Sequence, residues 1–269
     1  RLFPADPLVT GINLNEMVVG PTGCGKTMSV GIPRLLHTYD SSIVIPIAKG
    51  SLLHKFSKVF TERGYKVEVI DFDNPEKSTI GYDPLDYVVN DEDAVQLAKA
   101  MVETRKEGHN SVDPFWDNTA ESTIASIILL LIENERQGGE KATLADVVDV
   151  LRNMEVDYKN SGSVTSIDPW FEALDESKPG NQASLLWKSF SSAPEKTAST
   201  IYTCVNNAID KFMTAKITDF ISNKKRIDFR TLGEEKTVLF IKTSPMTKTL
   251  YNFINIMYTD MFRSLFEVA

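Results

Sequence analysis

The sequence predicts an α/β protein in which a mostly parallel, helix-covered sheet is interrupted by an all-helical insertion. Three observations carry that expectation. Short apolar runs alternate with helical stretches over the first ninety or so positions; helical patterns then recur, without a convincing strand, from Asp91 to Asn223; and an apolar run at 237–242 leads into a long helix. Strands that alternate with crossover helices favour parallel pairing in a sheet covered on both faces.

Taken in order, residues 16–19 form a strand candidate that runs into a glycine-rich turn, and 26–36 read as a helix. Residues 42–47 are a second strand candidate, 52–62 an amphipathic helix, and 66–72 a third strand with Val67, Val69 and Phe72 apolar. In the helical middle, Asp113 before Pro114 suits an N-cap with proline at the first helical position. Thr143 precedes Leu144, Val147, Val148 and Leu151 at helical spacing. Residues 160–165, rich in Ser and Gly, and 178–181 read as loops. The sheet resumes with 237–242, and 247–268 supply a helix with Tyr251, Ile254, Met257, Tyr258 and Leu265 facing inward. The expected division is 1–110 for the first part of a nucleotide-binding domain, 111–222 for the helical insertion and 223–269 for the continuation.

Composition narrows the function classes. A chain of 269 residues, 42% hydrophobic, buries a substantial core. Its net charge of −8 offers no overall basic surface to a phosphate backbone, so any nucleic-acid contact has to be local. Two cysteines, Cys24 and Cys204, are too few for a disulfide framework and fit a reducing compartment. His37, His54 and His109 lie far apart, and no transition-metal site is expected. The apolar run 124–132 is about half of the roughly 20 residues that a membrane span needs, and reads as a buried helix. The chain opens Arg1-Leu2-Phe3-Pro4, without an initiator Met or a leader, and reads as an excised piece.

The decisive motif is Gly20-Pro21-Thr22-Gly23-Cys24-Gly25-Lys26-Thr27, which matches the phosphate-binding loop pattern between a strand candidate and a helix. With glycine at roughly 7% of residues, this pattern arises by chance in only about one per cent of chains this long. The glycines let successive N–H groups converge on phosphate oxygens, and the following helix aims its positive end at them. Lys26 is expected to reach the β- and γ-phosphates of ATP, and Thr27 to place its hydroxyl on magnesium. These residues predict a P-loop NTPase, and the fold class expected of the chain is RecA-like. Cys24 is the small side chain that such a loop accommodates, and Cys204 reads as core.

A hydrolytic site also needs an acid at the end of a neighbouring strand. Asp71 superficially ends one, but no second carboxylate follows directly and Glu68 interrupts the apolar run; the strand at 237–242 has no acid at its tip. A complete hydrolytic site is therefore not visible.

Several segments together resemble the TraG-type conjugative coupling proteins, the type IV secretion coupling ATPases, with a flavour closest to those of Gram-positive mobile elements. The resemblance spans nearly the whole chain. Gly11-Ile12-Asn13-Leu14-Asn15 precedes the loop, and Ala48-Lys49-Gly50-Ser51-Leu52 follows it where the family usually has Asp-Pro-Lys-Gly-Glu; Lys49 and Gly50 match, Ala48 and Ser51 depart, and Ile47 or Ala48 replaces the expected acid. Gly64-Tyr65-Lys66-Val67, Tyr82-Asp83-Pro84-Leu85-Asp86-Tyr87 and Asp113-Pro114-Phe115-Trp116 follow in the family's order. Lys236 to Ile241 and the helix through Phe266 resemble the elements before the family's second catalytic strand. The resemblance implies an ATP- and magnesium-dependent motor that delivers a relaxase-DNA complex and single-stranded DNA to type IV secretion channel components. It also implies a homo-hexamer when full length, anchored at the cytoplasmic face of the membrane by segments before Arg1. The catalytic Asp-Glu pair is implied beyond Ala269, so that this piece alone is expected to be inactive, and the helical lobe is implied to receive the substrate.

Two further groups have two readings each. Phe115, Trp116 and Trp170 either stack on bases or a relaxase surface, or pack at helix starts, the commoner role. The basic cluster Lys224-Lys225-Arg226, with Lys216 and Arg230, either faces DNA or is a solvated surface. The alternatives to an ATP-driven translocase are a nucleotide-ordered substrate receptor without its own hydrolysis and another P-loop DNA translocase.

Overall fold

The computed structural model describes residues 15–105, 114–159, 162–223, 225–243 and 250–268. It divides into two compact units, residues 1–41 and 42–269, each considered by itself.

In the first unit, the phosphate-loop motif leads into a five-residue π-helical turn, Thr27–Gly31, continued by α1, Ile32–His37. The sequence predicts an ordinary helix here, and Pro33 explains the difference. Proline lacks an N–H, and its ring clashes with the carbonyl four residues back in an α-helix. The wider turn, closed by the Ile32 N–H donating to the Thr27 carbonyl, accommodates it. The strand expected at 16–19 does not form: Met17 is 89% and Val19 81% exposed, and no other strand occurs among the described residues of this unit to pair with it.

The second unit is built on a three-stranded parallel sheet ordered β1-β5-β2, where β1 is Ile43–Ile47, β2 is Lys66–Asp71 and β5 is Thr237–Lys242. β1 and β5 read as near-continuous apolar runs, as parallel strands buried on both faces should, whereas Glu68 interrupts β2. The register pairs Ile47 and Asp71 with Lys242 at the carboxyl edge. Helix α2, Ser51–Glu62, crosses from β1 toward β2 and buries Phe56 and Phe60, the latter edge-on to Tyr65 and Phe240. The α/β class with a parallel sheet is as the sequence predicts.

Helices α3 (Asp91–Arg105), α4 (Pro114–Arg136), α5 (Leu144–Asn153), α6 (Asp168–Ser177), α7 (Gln182–Ser191), α8 (Glu195–Phe212) and α9 (Ala215–Ile221) follow. The apolar run of α4 lies at the centre, with Ile124, Ile127 and Ile128 fully buried against α3, α7 and α8. Thr143 caps α5, as predicted, and does so in a reciprocal box with Asp146 that the sequence reading did not include; the expected cap Asp113 lies outside the described residues.

This stretch is not entirely helical. A hairpin, β3 (Val156–Lys159) and β4 (Gly162–Thr165), occupies part of the predicted loop at 160–165. Its inner face is held by backbone pairing and by packing on α7 and α8, so the usual apolar alternation is weak. The last elements are a short turn of helix, α10 (Thr231–Glu234), and α11, Tyr251–Val268. On α11, Met257 and Ile254 are buried as expected, but Tyr251 is 40% exposed. One contiguous apolar core links α3, α4 and α8 to β2, β5 and α11.

Candidate functional site

The phosphate-loop motif is stabilised by its own lysine. Lys26 Nζ folds back to donate to the carbonyl oxygens of Gly20 and, at 2.8 Å, of Pro21, with Cys24 Sγ 3.8 Å away. Gly23 and Gly25 take φ of 84° and 87°, the left-handed region that disfavours a side chain. The turn is completed by the Cys24 N–H on the Pro21 carbonyl at 3.4 Å and the Ser29 N–H on the Gly25 carbonyl at 2.8 Å. A Cβ on Gly20 would come within 2.6 Å of Cys24 Sγ, so the thiol packs over the loop's first glycine.

The motif residues are therefore brought together: Gly20 to Thr27 form one compact turn, with Thr27 exposed at the first helical position. The donor set suits a magnesium-bound polyphosphate. It offers one ammonium group already centred on the loop, glycines without side chains to exclude a ligand, and an exposed hydroxyl for a hard cation.

Asp71, the sequence's weak candidate for a magnesium-binding acid, is engaged elsewhere. Lys242, its register partner on β5, donates to both carboxylate oxygens at 3.2 and 2.9 Å and lies 3.6 Å from Asp73. The hydrogen bond to Asp71 raises the Lys242 pKa. Asp71 Oδ1 also accepts from the N–H groups of Asp73 and Asn74. Sequence reasoning missed this pair, because the partners stand 171 positions apart. Among the described residues, no group of three or more His, Cys, Asp or Glu is arranged to hold a metal ion.

The Tyr82–Tyr87 segment is a junction. Asp83 accepts from the N–H of Leu85 and of Leu144, so one buried carboxylate caps two helical segments, while Arg226 lies 3.6 Å from it and 3.0 Å from Asp86. Burial pushes the Asp83 pKa up to about 6 against the lowering hydrogen bonds. Tyr82 donates to Asp260 at 2.5 Å, and Arg263 bonds Asp93 and the Tyr87 carbonyl. Burial likewise raises Asp260 to about 6.

Three residues of the basic cluster are paired with carboxylates, and of these Arg226 is mostly buried. Lys225 pairs with buried Glu68 and Arg226 with Asp86, while Arg230 reaches Glu267 at 3.4 Å; Lys224 lies outside the described residues. Those three cations are committed to carboxylates. Of the aromatic residues, Trp116 packs against the core, with Phe115 edge-on to it at 5.0 Å, but Phe115 is 46% and Trp170 48% exposed.

A family model described as type IV secretory system conjugative DNA transfer matches residues 11–268. A search of curated proteins finds no match. Among solved structures, a bacterial conjugative coupling protein, TrwBdeltaN70 in its unbound monoclinic form, aligns over 85% of this chain at 14% identity with a TM-score of 0.45. The chain spans about half of that structure, 52% of its length.

Proposed function

The chain belongs to the type IV secretory system conjugative DNA transfer family, and from that premise we propose that it is the nucleotide-binding part of an ATP-driven coupling protein. In this reading it delivers a relaxase-DNA complex, with its single-stranded DNA, to the components of a type IV secretion channel. The full-length protein works as a homo-hexamer at the cytoplasmic face of the membrane. Among the described residues no helix is long and apolar enough to cross a membrane. The helical stretch within 111–222 is the inserted lobe that meets the cargo.

The observation that carries this reading is the closed turn of Gly20, Pro21, Thr22, Gly23, Cys24, Gly25, Lys26 and Thr27 around the Lys26 ammonium. ATP supplies the phosphoryl group whose hydrolysis drives movement, and magnesium neutralises its phosphates. Lys26, which bonds the Gly20 and Pro21 carbonyls, would hold the phosphate oxygens in their place, and Thr27 would offer its hydroxyl to the cation. The glycine backbone lines the phosphates.

The alternative reading is a receptor that binds nucleotide without hydrolysing it, with Asp71 serving the fold in either case. A carboxylate bonded to an ammonium and two N–H groups is poorly placed to hold a magnesium-bound water.

Calorimetric titration of magnesium-ATP into the chain and into Lys26→Ala tests the site. Binding by the parent, weakened at least about 100-fold in a folded variant, is expected from loss of the charge-assisted phosphate contacts. Equal affinity in the folded variant defeats the assignment. Hydrolysis by an extended, assembled chain separates the motor from the receptor.

A further inference from the structure

A hollow of about 560 Å³ opens between the corner that joins α4 to α5, the last turn of α9 and the segment that leaves α9. The nucleotide reading gives it no role, yet its volume lies in the range of small-molecule sites. Two cations, Lys141 and Arg226, line it together with the Asn223 amide, and among the described residues no carboxylate does. Exposed Thr218 and Ser222 add uncharged hydroxyls. In a chain of net charge −8, a space lined by cations alone among charged groups favours an anion there.

Asp86 holds the two cations side by side. It lies 2.7 Å from Lys141 Nζ, and its two oxygens accept from Arg226 Nη1 at 3.0 and 3.2 Å. Asp83, 3.6 Å from the same Nη1, is already shared by the N–H groups of Leu85 and Leu144. Both acids therefore meet Arg226 through one nitrogen, and among the described residues Nη2 and Nε keep their N–H groups for another partner, in the fork that matches a phosphate. The Lys141 side chain is 62% exposed, and its ammonium has donors beyond the one turned to Asp86. Asn223 Oδ1 accepts from the Lys225 N–H at 3.1 Å, which fixes the amide and leaves Nδ2 as a donor.

We propose that this hollow binds a small phosphate-bearing molecule, whose phosphate oxygens accept from Lys141 Nζ, from the free edge of Arg226 and from Asn223 Nδ2. Asp86 acts as the brace that keeps two like charges together while the site is empty. The flanking helices favour a single phosphate over a nucleic-acid strand: Asp146 and Asp149 on α5 and Asp219 on α9 are exposed, and Lys216 of α9 does not line the hollow. A strand running on along either helix would carry its next phosphates toward carboxylates.

The test titrates inorganic phosphate into the isotope-labelled whole chain at constant ionic strength and follows the Arg226 Nε–H and Asn223 side-chain amide resonances by NMR. Both are expected to shift saturably. Lys141→Glu and Ser222→Asp, each at an exposed position, are expected to weaken the binding at least about tenfold, while Lys141→Arg retains it. Lys26→Ala, which disables the phosphate loop, is expected to leave the shifts unchanged, so the two assignments stand or fall separately. Shifts that never saturate, equal affinity in folded Lys141→Glu, loss of the shifts in folded Lys26→Ala, or oligothymidine that moves the same resonances at a lower phosphate concentration would each overturn the proposal.

Discussion

Glu68 and Lys225 meet at 2.5 Å across 157 positions of the chain. The carboxylate stands on β2 and is almost fully buried, while the ammonium enters from the segment that leaves α9. Thr79 donates to the second carboxylate oxygen at 2.6 Å, and its hydroxyl accepts from the Val69 N–H. The interruption of β2's apolar run is thus a docking point for the returning chain.

Lys225→Ala is expected to destabilise the protein by about 1–3 kcal/mol, because it leaves a buried carboxylate with one partner fewer. The lysine is itself half exposed, which keeps the figure below that of a fully buried pair. Urea denaturation measures it. A shift in midpoint no larger than that of an ordinary surface substitution would show that the pair contributes nothing.

Asp83 and Asp260 should make stability fall as pH rises from about 4 to about 6. Their folded pKa values, near 6, lie above the ordinary value of 3.8, so folding favours their protonated forms. Their contribution is fully present below the unfolded value and is lost as pH rises through the folded one. Paired carboxylates elsewhere run the opposite way, so the difference between variants is the clean observable. Asp260→Asn keeps an acceptor for Tyr82 and does not titrate. From pH 4 to pH 7 its stability relative to the parent is expected to improve by about 2–3 kcal/mol. A pH-independent difference between the two proteins would refute the assignment.

Gly81 forms a parallel bridge with Arg226, and its N–H donates to the Lys225 carbonyl at 2.7 Å. A Cβ here would stand 2.4 Å from the Phe220 carbonyl oxygen and 2.6 Å from the Asn223 Cβ. The first obstacle is backbone, which cannot swing aside. Gly81→Ala is therefore expected to cost about 2–3 kcal/mol, read as a lowered thermal midpoint. Gly138→Ala serves as a control for space: a Cβ there meets nothing within 4 Å, although its φ of 97° adds backbone strain. Loss of stability at Gly138 but not at Gly81 would rule out the close approach as the cause.

What could be read from the sequence divides along physical lines. The strands β1 and β5 announced themselves because parallel strands covered on both faces are mostly apolar, and β2 did so by Val67, Val69 and Phe72 despite Glu68. The Thr143 cap was visible because it stands directly before Leu144, Val147, Val148 and Leu151, which are spaced as one face of a helix. The hairpin β3–β4 was missed because Val-Asp-Tyr-Lys and Gly-Ser-Val-Thr have too little apolar content to look different from a turn. Pro33 was legible in principle as the cause of the widened turn before α1. At the candidate site, the phosphate-loop motif gives its residues by spacing alone, whereas the engagement of Asp71 and of the basic residues depends on partners brought together by the fold. The pairing of Arg226 with Asp86 spans 140 positions. Neither partner's neighbours in sequence point to the other.

The position of β5 between β1 and β2 dictates a timetable for the nascent chain. Until residues 237–242 have been made, the two earlier strands have no neighbour to share hydrogen bonds with, and the sheet cannot close. The helices from α3 to α9 rely largely on contacts among themselves and emerge first. They can assemble while the strands wait as open edges, and β5 must then enter between two strands synthesised more than 160 residues earlier, the kind of long-range pairing that is entropically costly to form.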